Sequence, residues 1–155
     1  PAFQMWEVPW IGFVCFAIVL IAWTANIRLP GGIPGGLAAV IVGAMRLASG
    51  VSFLVAPEAA NRLWGDSEDS GPTASLLLRS MGYRDALIGG LLLAAGLTGS
   101  PNVAGWFLAS AGADAADLVG GLANRGRMST DQQVRGLGGA AVGIAVGVIG
   151  AVRAR

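Results

Sequence analysis

Five charged residues stand where a bilayer accommodates charge least: Arg46, Arg84, Asp85, Asp114 and Asp117 each fall near the middle of a long apolar stretch. Holding one charge at mid-depth costs up to about 3 kcal/mol on insertion scales, so such residues pair with one another or line a path. Two arginines and three aspartates at similar depth predict one buried polar cluster with a formal charge of −1. Any function inside the protein is expected there.

The rest of the chain dictates the bilayer. Apolar residues make up 54% and charged residues only 12%, about half the soluble share of roughly 25%. Residues 8–25 carry no charge and match the roughly 20 residues that cross a hydrocarbon core. Trp6 and Trp10 flank this run at one end and Trp23 at the other, as interface anchors do. Pro1 fits a start from which an initiator methionine was trimmed, and no basic segment precedes the run, so a retained helix is expected rather than a cleaved signal. The Pro/Gly run at 29–36 then breaks any helix.

A second span is predicted over 37–56, with Arg46 near its midpoint and Pro57 after it. Residues 58–64 read as a short amphipathic helix at the interface, with Trp64 as its anchor. The third span is predicted over 73–97, the turn Gly99-Ser100-Pro101-Asn102 makes the next helix its antiparallel neighbour, and the fourth covers 103–123. A polar loop over 124–135 precedes a fifth span over 136–152. The expected fold is an all-α integral membrane protein with about five transmembrane helices. An anchor helix (1–28) and a hinge (29–36) lead into a four-helix bundle (37–155), multi-pass in a bacterial inner membrane. Arginine counts on the two faces place the N-terminus in the cytoplasm, whereas Glu7 before and Arg28 after the first helix argue the reverse.

Stripes of small residues show how the helices close together. Gly139, Gly143 and Gly147 recur every fourth residue, as do Gly105, Ala109, Ala113, Asp117 and Gly121, and Gly82, Ala86 and Gly90. Such stripes let backbones approach in lipid. They place Asp117 on the packed face of its helix and Asp114 beside it, the latter as the acid left over. Neighbours on a helix diverge by about 100°, so Arg84 and Asp85 are expected to reach different partners. Asp117 should meet one arginine and Asp85 the other, because the guanidinium fork bridges carboxylates.

Several chemistries are excluded. The chain has no His, which removes the usual haem ligand, the common zinc ligand and the easiest general base. Cys15 is single, with no partner for a disulfide and no small residues of a lipidation box before it. A net charge of +1 gives no case for nucleic acid. Asp114 and Asp117 have the i, i+3 spacing of a divalent-cation pair, but no further acid follows on that helix. No catalytic set, metal or cofactor is therefore expected.

From residue 42 to 155 the chain resembles a family of small four-helix membrane proteins, frequent in actinobacteria, of uncharacterised function. The residues that carry the resemblance are Arg46-Leu47-Ala48-Ser49-Gly50, Ala56-Pro57, Arg62-Leu63-Trp64-Gly65, Arg79, the run from Gly82-Tyr83-Arg84-Asp85 to Gly89, and Asp114-Ala115-Ala116-Asp117. Where that family has Gly-Ala-Arg-Asp, this chain has Tyr83. The resemblance implies a bundle with an Arg/Asp cluster and no activity. The expected role is a non-catalytic accessory subunit or assembly factor of a larger membrane complex, respiratory complexes among them. Membrane lipids and other integral subunits are the expected partners. The rival is a small transporter or lipid-binding protein that works through the cluster.

Overall fold

The computed structural model describes residues 35–63 and 71–155. The anchor at 1–28 with Trp6, Trp10 and Trp23, most of the hinge, and Trp64 lie outside the described residues. All regular structure among the described residues is helical: α1 (Gly35–Val55), α2 (Pro57–Leu63), α3 (Pro72–Thr98), α4 (Val103–Asn124) and α5 (Thr130–Arg153). They belong to one compact unit, Pro34–Arg155. The last two residues of the expected hinge, Gly35 and Gly36, already belong to α1.

Local chemistry sets the ends. Gly99 closes α3 in the left-handed region at φ 64 and donates its N–H to the Ala95 carbonyl, the conformation that favours glycine after a helix. Arg79 donates to the Leu54 carbonyl at the open end of α1, where a cation meets the negative end of the helix dipole. The last helix begins six residues earlier than expected. Ser129 accepts from the Gln132 N–H while the Gln132 side chain accepts from the Ser129 N–H, and this reciprocal cap starts α5 inside the segment read as a loop. A π-helical stretch, Gln133–Leu137, follows within α5.

The long helices pack as two close pairs, α1 with α3 and α4 with α5, and the two pairs meet mainly through α3 and α4. Three glycine contacts in antiparallel register bring α1 and α3 together. A Cβ on Gly96 would meet the Gly36 carbonyl oxygen at 2.7 Å, one on Gly43 the Gly89 oxygen at 2.8 Å, and one on Gly50 the Gly82 oxygen at 2.6 Å. The step is seven residues on both helices, the repeat that keeps a seam facing its partner along a left-handed supercoil. The fourfold stripe predicted on α3 is corrected accordingly: the face turned to α1 is Gly82, Gly89 and Gly96, and Gly90 has only the end of Leu47 nearby, at 3.9 Å.

Small residues fill the interior and large ones face outward. The buried core is mostly alanine and glycine with Phe53, Leu92 and Phe107, whereas Leu37, Ile41, Val55, Leu76, Leu87, Leu108, Val119 and Val152 are exposed. α1 and α5 are long and apolar enough to cross a membrane, yet only 28% and 22% of their apolar windows are buried. A core helix of a water-soluble protein would bury most of such a window.

Candidate functional site

The four long helices bring Arg46, Arg84, Asp85, Asp114 and Asp117 together between the two pairs. Arg46 of α1 donates from Nη2 to Asp85 Oδ1 at 3.0 Å and from Nη1 to Asp114 Oδ2 at 2.9 Å. The same Nη1 donates to Ser110 Oγ at 2.8 Å. Arg84 of α3 grips Asp117 with both terminal nitrogens, Nη1 to Oδ1 at 2.9 Å and Nη2 to Oδ2 at 2.6 Å. Its Nε donates to Asp85 Oδ1 at 3.1 Å. The result is one continuous chain of ion pairs, Asp117–Arg84–Asp85–Arg46–Asp114, with Asp85 as the shared acceptor at its centre.

Three expectations about the cluster are corrected. Arg84 and Asp85 do bond to each other, because a guanidinium on a long stem folds back over the neighbouring carboxylate. Asp114 is not left over: it is the more enclosed of the two acids on α4, with its side chain 14% exposed against 38% for Asp117. The buried stripe of α4 runs through Val103, Phe107, Ser110 and Ala111 to Asp114, and Gly105 of the predicted stripe faces outward.

Ser110, only 2% exposed, went unnoticed in the sequence, although its spacing to Asp114 and Asp117 sets all three within one sector of the helix.

The glycines of α5 and the charge cluster form one feature. A Cβ on Gly143 would overlap the Asp114 carboxylate, and one on Gly147 would meet the Phe107 carbonyl oxygen at 2.7 Å. Gly143 thus leaves the niche in which Asp114 faces Arg46. Gly147 brings α5 against the backbone of α4, and Gly139, further along the same ladder, is half-buried. Gly150 continues the close approach, under the ring of Phe107.

The cluster can hold three helices in register, and each acid is engaged by at least one guanidinium. One donor is unsatisfied: Arg46 Nε is buried without a hydrogen-bond partner. Among the described residues no three acid, histidine or cysteine side chains converge in a way that could hold a metal ion.

The comparisons agree with a chain of this kind. Residues 43–151 match the family described as a domain of unknown function, DUF4267. No curated protein and no solved structure matches the chain. Since the match covers well over half of the sequence, the chain belongs to the DUF4267 family.

Proposed function

We propose that the chain is a multi-pass protein of a bacterial inner membrane that serves as a non-catalytic accessory subunit or assembly factor of a larger membrane complex. Its spans are residues 8–25 followed by α1, α3, α4 and α5, the last four forming a transmembrane bundle. The observation that carries the role is the closed ion-pair chain. Every one of its carboxylates is engaged by an arginine, so the charges are spent on joining helices instead of standing ready for a substrate. The outward-facing Leu, Ile and Val support the membrane setting, since soluble monomers rarely expose so much contiguous apolar surface.

Gentle solubilisation of the full chain from native membranes, followed by sizing and identification of every polypeptide in the particle, tests the role. The expected result is a particle larger than one chain, with other integral membrane polypeptides in fixed ratio. A uniform particle holding this chain alone would overturn it. The transport or lipid-binding reading draws on one observation, the partial exposure of Arg84 (32%) and Asp117 (38%) at one end of the cluster. Proton or solute flux in liposomes that disappears in Asp117→Asn would favour it over the subunit role.

A further inference from the structure

The Arg84–Asp117 end of the cluster is its open end, and α4 is built for close approach just beside it. Gly105, Gly112 and Gly120 have nothing within 4 Å of where a Cβ would stand, and with Ala116 they are exposed. At 100° per residue these four positions form one outward sector of α4, and Asp117 lies on its border. The fold has no use for glycine there: each disfavours the helix relative to alanine, and no neighbouring helix of this unit comes near. Tyr83, 63% exposed and one residue before Arg84, puts a hydrogen-bonding hydroxyl near the middle of the outward face of α3. In a bilayer, a half-exposed ion pair beside an unused small-residue groove is a surface awaiting a helix.

Charge decides which helix. Two arginines against three aspartates leave the cluster at a formal −1, and Asp117 is its most exposed member. The complementary group is a cation at mid-depth. This chain has none to give: Arg46 and Arg84 are both engaged in the cluster, and residues 8–25 contain no basic residue. A second copy of the chain is excluded as donor for the same reason. Resting on the subunit role above, we infer that the outward face of α4, bounded by Asp117 and Arg84, docks a transmembrane helix of a different polypeptide carrying an arginine or lysine near its centre.

The test uses the full chain in lipid nanodiscs and a fluorescent leucine-rich transmembrane peptide with Arg at its centre, against the same peptide with Leu there. The Arg peptide should associate at least about tenfold more tightly. Gly112→Leu with Gly120→Leu, which fills the groove without touching the fold, should abolish the difference. Equal binding of the two peptides, or Arg-selective binding that survives the filled groove, would overturn the inference. So would displacement of the Arg peptide by unlabelled copies of the chain. In native membranes the failures separate. A filled-groove variant that still joins the larger particle sinks this surface and leaves the subunit role standing, whereas a solitary wild-type chain sinks that role.

Discussion

Asp114 and Asp117 sit one helical turn apart on α4 and face different surroundings. Asp114 is held by Arg46 under the Gly143 niche, while Asp117 meets Arg84 at the open edge. Removing one partner of an enclosed ion pair leaves an uncompensated charge and costs about 3–5 kcal/mol, more than losing both. Asp114→Ala should therefore lower stability by about 3 kcal/mol, and Asp117→Ala by about 1 kcal/mol, nearer the value for exposed pairs. Arg46→Met should restore part of the Asp114→Ala loss. Unfolding curves in mixed detergent micelles measure all three, and equal losses for the two aspartates would contradict the assigned depths. Gly143→Ala belongs with them, since its methyl group would push the Asp114 carboxylate off Arg46. It should cost about 1–3 kcal/mol as an overpacked site, whereas Gly138→Ala, with open space around it, should be neutral or gain up to about 1 kcal/mol. Which residues meet was legible in the sequence, because charge in an apolar run has few places to go. Which acid lies deeper was not: that depends on the rotation of α4, and a fourfold count of small residues misjudged it by placing Gly105 inside.

At the scale of elements, the α1/α3 seam and the outward face of α4 spend glycine in opposite ways. Gly43 and Gly89 meet each other's backbone across the seam, while Gly112 faces open space. Gly43→Ala or Gly89→Ala must push two backbones apart and should each cost at least about 1–3 kcal/mol, with Gly112→Ala neutral or slightly stabilising in the same unfolding assay. Comparable effects at all three positions would mean that the seven-residue seam does not hold the pair together. Helix number and approximate span were readable from apolar run lengths, and the α3–α4 turn from Gly99-Ser100-Pro101. The seven-residue glycine step was present in both segments but was passed over for the familiar four-residue one. The start of α5 was likewise written in Ser129-Thr130-Asp131-Gln132, where polarity was read as loop and the capping spacing was not.

At the scale of the molecule, the inside is small and charged and the outside is large and apolar, the reverse of a protein folded in water. That inversion accounts for how α3 and α4, which carry four of the five cluster charges, can cross a bilayer: the charges are met by one another before lipid meets them. Four crossings by α1, α3, α4 and α5 put the α4–α5 turn on one side of the membrane and the α3–α4 turn on the other. Arg62, Arg125, Arg127 and Arg135 lie toward the first side, and Arg153 and Arg155 toward the second, so the positive-inside rule assigns the α4–α5 turn to the cytoplasm. Cysteine labelling in a Cys15→Ser background checks both statements. Ser129→Cys should react with a membrane-impermeant reagent only after the cytoplasmic side is opened, and Ser100→Cys should react from outside in intact cells. Labelling of both from the same side would remove the crossing of α4, and release of the chain from membranes by alkaline carbonate without detergent would remove the bilayer altogether. The cluster would then have to be explained as a polar core in water, where its exposed Leu and Val surroundings have no physical reason to persist.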